Sequence, residues 1–125
     1  MTQEEKQLLL KDLCARLAYN PFCKVGGIEY PIKLIRVEVD TIDGILLDFD
    51  YKNEQGLPLQ VYLSEVKPYL RPMSSMTEEE GKHYNYLLTT TQYDKLIDWL
   101  NEYKFDYRYL IPIGLALEAP NGMYN

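Results

Sequence analysis

Leu9, Leu13 and Leu17 recur at helical spacing with Leu10 and Cys14 beside them, and Thr2 followed by Glu5 forms a capping-box pattern ahead of them. The spacing predicts an amphipathic helix over residues 3–18. Asn20-Pro21 ends it, because proline lacks a donor and restricts the residue before it. From Phe22 onward the period changes to two. Ile35, Val37 and Val39 alternate with Arg36, Glu38 and Asp40; Ile45, Leu47, Phe49 and Tyr51 with Leu46, Asp48 and Asp50; and Leu57, Leu59, Val61 and Leu63 with Gln60 and Tyr62. Residues 22–25 read as a short strand that Gly26-Gly27 turns back into Ile28 and Tyr30.

Turn chemistry extends this pattern to a register. A two-residue Asp43-Gly44 loop would set Val39 beside Asp48 and mix the faces. A three-residue loop of Ile42, Asp43 and Gly44 instead pairs Thr41 with Ile45, Val39 with Leu47 and Val37 with Phe49, with the apolar residues on one face. A loop through Asn53 to Gly56 that pairs Tyr51 with Leu57 sets Phe49 opposite Leu59 and Leu47 opposite Val61. Residues 64–76 carry Pro68 and Pro72 and read as an extended crossing segment that breaks regular structure. Thr77 and Glu80 open a helix from Glu78 to about Leu88, and Thr89-Thr90-Thr91 cap a third helix. The apolar stripe of that third helix is Tyr93, Leu96, Ile97, Leu100 and Tyr103. Asp106 reads as the N-cap of a turn closed by Pro112 and Gly114, ahead of a last short strand at 115–117.

The sum is one α+β domain over residues 1–125: an N-terminal helix (3–18), an antiparallel β-meander or small open barrel of four to five strands (22–63), the crossing segment (64–76), a C-terminal section of two to three helices (77–113), and a short strand and tail (114–125). At 125 residues, with 46% hydrophobic and 26% charged residues, the chain has the composition and length of one ordinary core.

The net charge of -6 repels a phosphate backbone and an anionic membrane, so nucleic acid is disfavoured as a partner and no membrane is expected. The 13 Lys and Arg residues are scattered, the nearest approach to a cluster being Lys67-Pro68-Tyr69-Leu70-Arg71. Met1-Thr2-Gln3-Glu4-Glu5-Lys6 is the opposite of a positive leader, and no apolar run approaches the roughly 20 residues that cross a bilayer. Cys14 and Cys23 form no CxxC motif. A cytoplasmic protein with free thiols is expected.

His83 follows Glu79 by one helical turn and could share a ligand face with it, but spacing supplies no third ligand, so no metal or cofactor is expected. Ser64, Ser74 and Ser75 lack a GxSxG context, and Gly26-Gly27 lacks the Lys and Ser/Thr of a phosphate loop. The chain reads as a non-enzyme. In the predicted register Glu38 stands opposite Asp48 and Arg36 opposite Asp50, which gives an acidic, solvated face of Glu38, Asp40, Asp48 and Asp50. Tyrosine accounts for 12 residues, against 3 Phe and 1 Trp, and its apolar ring with a polar tip suits a position half in a core and half in an interface. Tyr51, Tyr93 and Tyr103 fall in the core by pattern. Tyr62 beside Leu46 on the acidic face, and Tyr69 with Arg71 in the proline-bracketed segment, complete a candidate contact surface of Leu46, Tyr62, Tyr69 and Arg71.

The run Pro68-Tyr69-Leu70-Arg71-Pro72-Met73-Ser74-Ser75-Met76-Thr77-Glu78-Glu79-Glu80, the helix Ile97-Asp98-Trp99-Leu100-Asn101 and the ending Gly114-Leu115-Ala116-Leu117-Glu118-Ala119-Pro120 resemble a family of small uncharacterised proteins of human-gut Bacteroides-type bacteria and their phages or mobile elements. The resemblance covers mainly the second half. It implies a cytoplasmic, mobile-element setting and carries no catalytic residue. The function expected is a small non-enzymatic protein-interaction module that acts through a protein partner or self-association. The alternatives are a nucleic-acid-associated small-barrel protein and an acidic DNA mimic that inhibits a host protein.

Overall fold

At the start of α1 (Gln3–Arg16) the Glu5 amide donates to Thr2 Oγ1 at 3.1 Å and the Thr2 amide to Glu5 Oε1 at 2.9 Å, so the capping box forms. The computed structural model of the chain describes residues 1–40, 44–52, 56 and 58–124. A 3-10 turn (Leu17–Tyr19) follows α1, and Asn20 at φ 45° ends it ahead of Pro21.

Six strands make one mixed, open sheet: β1 (Phe22–Val25), β2 (Ile32–Asp40), β3 (Gly44–Lys52), β4 (Pro58–Tyr62), β5 (Val66–Leu70) and β6 (Leu117–Glu118), in the order β4-β3-β2-β1-β5-β6. All neighbours are antiparallel except β5 and β6, which are parallel. Two differences from the predicted fold follow. The sheet does not close into a barrel, and it draws two strands from outside residues 22–63. β5 lies inside the predicted crossing segment despite Pro68. A proline fits a strand where no neighbour needs its N–H, and β6 joins β5 only at Tyr69 and Leu70.

The hairpin register differs by two residues from the predicted one. Val37 pairs with Leu47, Val39 with Ile45 and Asp40 with Gly44, which has φ 104°, and a bulge between Leu34 and Arg36 adjusts the far end. A shift of two preserves which residues face the core, so the apolar pattern alone fits both registers equally. The bulge, however, seats Leu34 in the core and leaves Ile35, expected there, 45% exposed on the other face. The proposed loop residues Ile42 and Asp43 and the Thr41–Ile45 pair lie outside the described residues. On the other side, Phe49 pairs with Leu59 and Leu47 with Val61, in the predicted register. The Tyr51–Leu57 pair and the Asn53–Gln55 loop lie outside the described residues.

One face of the sheet carries the core. Leu9 and Leu13 of α1 pack with Cys23, Val25, Leu34, Leu47, Phe49, Val66 and Leu70, and Leu110, Leu115 and Ala116 of the C-terminal section close the cluster. A second cluster forms between α2 (Glu78–Thr89) and α3 (Tyr93–Glu102) from Leu87, Leu96, Leu100 and Phe105. The threonine run does not cap α3, whose N-cap is Gln92 without a side-chain bond. Thr89 and Thr90 instead donate back to Asn85 O at 2.8 Å and Tyr86 O at 2.6 Å, closing the end of α2. Tyr93 and Tyr103 are not core residues: they are 56% and 42% exposed, because Leu96, Leu100 and the half-buried Trp99 make the contact of α3 with the cluster under α2.

The two helical parts meet through buried charge. Arg16 Nε and Nη2 donate to the two Asp12 oxygens at 2.9 and 3.0 Å, Arg108 Nη1 donates to Asp12 Oδ1 at 2.8 Å, and Arg16 Nη2 also reaches Phe105 O at 2.7 Å. The side chains of Asp12 and Arg16 are fully buried. Removing one partner of such a set leaves uncompensated charge in the interior, which costs about 3–5 kcal/mol. Asp12→Ala is therefore expected to lower the unfolding free energy by about that amount, measured by urea denaturation, and a loss below about 1 kcal/mol would contradict the assignment.

Candidate interaction surface on the open sheet face

The sheet face opposite α1 carries exposed residues on β1 to β5, although Asp48 is buried and Phe22 and Tyr69 are half-buried, and its charges are sorted. Arg36 of β2 stands opposite Asp48 of β3, which stands opposite Gln60 of β4; Glu38, Leu46 and Tyr62 form the next row. Arg36 Nε donates to Asp48 Oδ2 at 2.7 Å and approaches Glu38 Oε1 at 3.2 Å. Gln60 Nε2 donates to Asp48 Oδ1 at 2.8 Å and Glu38 Oε2 at 3.1 Å. These donors cover Asp48 completely although it sits on the outward side. Glu38 and Asp48 are thus neighbours, as the sequence suggests, but not an opposed pair, and Arg36 meets Asp48 instead of Asp50. The two carboxylates share one guanidinium and one uncharged amide, so Asp48 is sealed while Glu38 stays partly open and the row keeps one negative charge in excess. Asp50 is exposed on the same face, and Asp40 holds the strand position opposite Gly44.

The other half of the face was not foreseen. Lys24 of β1 is directly opposite Lys67 of β5, and Lys33 of β2 is opposite Phe22 of β1. All three lysines are exposed, and Lys33 Nζ lies 5.4 Å from the Phe22 ring centroid. Tyr124 tilts against Phe22 at 5.7 Å. Its hydroxyl accepts from the Phe22 amide at 2.9 Å and donates to Tyr69 O at 2.8 Å, where a direct ladder bond between β1 and β5 would otherwise form. Burial pushes the Tyr124 hydroxyl pKa up. Alternation marks Lys24 and Lys67 as outward-facing, but their apposition depends on a pairing 43 positions apart that no local turn reveals.

The four contact-surface candidates separate. Leu46 and Tyr62 are cross-strand neighbours, and Tyr62 is 43% exposed beside a groove of about 460 Å³ lined by Gln3, Gln7, Leu10 and Ile45. Tyr69 lies across the sheet in β5, half-buried under the tail. Arg71 serves the fold: its Nη1 and Nη2 donate to Glu80 Oε2 and Oε1 at 2.8 and 2.7 Å, and its guanidinium lies 4.2 Å from the Phe105 ring centroid. A second aromatic feature lies on the helices. His83 is 5.2 Å from Trp99 and 6.4 Å from Tyr86, and Trp99 is 5.4 Å from Tyr103, a ladder set by i,i+3 and i,i+4 spacing in α2 and α3. Cys14 is exposed and Cys23 buried; both are free. Among the described residues no group of three or more His, Cys, Asp or Glu is placed to hold a metal ion, and no helix is long and apolar enough to cross a membrane.

No family model, curated protein or solved structure matches the chain.

Hydrogen bonds from Arg71 hold the Glu80 carboxyl at a pKa of about 2, below its ordinary 4.5. Because the folded-state value is depressed, the pair stabilises the fold fully above the unfolded value and is lost as pH falls from there toward 2. The wild type should therefore lose stability across that window more steeply than Glu80→Gln, as read from urea midpoints at successive pH values. Parallel slopes would contradict it.

Proposed function

We propose that the chain is a small protein-interaction module whose working surface is the open face of the sheet. The observation that carries this reading is the sheet face opposite α1, on which the Leu34–Arg36 bulge leaves Ile35 45% exposed between charges sorted to opposite sides, and Tyr62 is 43% exposed on the edge strand β4. Singly exposed apolar residues are ordinary. Ile35 and Tyr62 differ in sharing a face with Leu46, Phe22 and Tyr69, since apolar and aromatic anchors within a charged rim are how protein interfaces are composed. The resemblance of residues 68–80 to proteins of gut bacteria and their phages supports a cytoplasmic, mobile-element setting. No catalytic step enters this reading.

Nucleic acid is the second reading, favoured by Phe22 and Tyr69 flanked by Lys24, Lys33 and Lys67, because stacking rings among cations hold single strands. It is weaker, since Tyr124 and Lys33 already occupy the Phe22 ring. The DNA-mimic reading is weaker still, because Asp48 is buried under Arg36 and Gln60 and the accessible acids are too few to trace a phosphate backbone.

The test compares the wild type with an Ile35→Asp/Tyr62→Asp double variant as baits in an extract of the source cell. One protein should be retained by the wild type at near-stoichiometric yield and lost from the variant with its melting temperature kept. Nuclease-sensitive nucleic acid recovered in place of a protein would overturn the proposal.

A further inference from the structure

Lys24 and Lys67 stand directly opposite one another on neighbouring strands, an arrangement that destabilises a sheet by tenths of a kcal/mol when nothing answers it. Among the described residues neither they nor Lys33 is paired with a carboxylate. Across β2 the balance reverses: Asp48 is sealed by Arg36 and Gln60, and Glu38 and Asp50 keep the accessible negative charge, with Arg36 as the one cation whose side chain is described there. The chain as a whole carries -6, so three unanswered lysines on one side of one face are a local exception to its charge. Ile35 lies on β2, between the two clusters.

We propose that the occupant of this face is a second copy of the chain, docked face to face about a two-fold axis. This rests on the reading of the face as an interaction surface and names its partner. Two patches on one face exchange places when the axis lies in the plane of the face, along the line midway between them. The lysines of each copy then meet Glu38 and Asp50 of the other, and Ile35 near the midline meets its own counterpart. Such an isologous contact closes at two copies. Five strands of four to nine residues at about 4.8 Å spacing give a face of roughly 500 Å². That is less than the ~800 Å² per partner of a standard interface and fits a weak, reversible dimer. Charges that meet only in the dimer also explain why an opposed lysine pair is kept where a neutral residue would serve the sheet better.

Sedimentation velocity of the full chain tests it. The wild type should pass from 14.7 kDa to twice that mass at micromolar concentration, with Kd rising at least about tenfold between about 0.05 M and 0.5 M salt. Lys24→Glu/Lys67→Glu and Glu38→Lys/Asp50→Lys should each be monomeric with wild-type circular dichroism, and their equimolar mixture should form a heterodimer. Ile35→Arg, which removes only the central contact, should also weaken the dimer at least about tenfold and guards against misfolding of the charge variants. A wild type monomeric throughout, or a dimer indifferent to charge reversal, overturns the proposal. If a monomeric wild type still loses a protein partner through Ile35→Asp/Tyr62→Asp, the dimer falls and the interaction reading stands. If neither association nor partner responds to the face, both fall.

Discussion

The buried Asp12–Arg16 pair is the constraint on which the helical and sheet layers depend. Its geometry reaches in three directions. Arg16 runs from α1 to Phe105 O at 2.7 Å, just past the end of α3. There the Arg71 amide donates to Lys104 O at 2.7 Å and the Asp106 amide to Arg71 O at 2.8 Å, which fixes the end of β5 against the same turn. Arg71 then grips Glu80, whose carboxylate also accepts from the Thr77 amide at 2.9 Å at the start of α2. Carbonyls at the end of a helix lack intrahelical partners and present negative potential, so a cation is at home there. A second arginine, Arg108, shares the Asp12 carboxylate and lies 4.4 Å from the Tyr107 ring centroid. Such a set adds little net energy over apolar packing, but it permits few alternative arrangements.

How much of this was legible in the sequence divides by the range of the interaction. Both capping boxes, the ends of α1, and the pairing of Phe49 with Leu59 follow from residues a few positions apart. The β2–β3 register did not, although Val37, Ile45, Leu47 and Phe49 faced the core as expected; Ile35 did not, because the bulge turns it outward and seats Leu34 in the core. Alternation of apolar residues fixes the parity of a register and nothing finer. The structure separates the two even solutions by charge, since the observed one puts Arg36 opposite Asp48, whereas the predicted one put Glu38 there. Cross-strand charge pairs are worth a fraction of a kcal/mol, enough to choose between registers of equal hydrophobic merit.

The candidate surface was legible by halves. Leu46 and Tyr62 come together because they belong to one meander, whereas Tyr69 and Arg71 were grouped with them only by composition. The lysine half needs β5 beside β1, and two prolines concealed that strand. Tyr93 and Tyr103 mislead for a related reason: a wide apolar stripe reports that a helix packs, not how much of the stripe its neighbour covers. α3 is seated against α2 by Leu96 and Leu100 with Trp99 beside them, and Tyr93 and Tyr103 lie outside that contact.

Tyr124 bridges Phe22 and Tyr69, residues 102 and 55 positions earlier, and β6 attaches to β5 from residues 117–118. Loop-closure entropy makes contacts of this separation late in folding. On the ribosome, β1 to β5 and the helices can emerge and collapse while one flank of β5 still waits for a strand more than 45 residues downstream. Synthesis order and sheet order are therefore opposed at this edge. Until residues 117–124 have emerged, that flank is open to other polypeptides, and this segment is what shuts it.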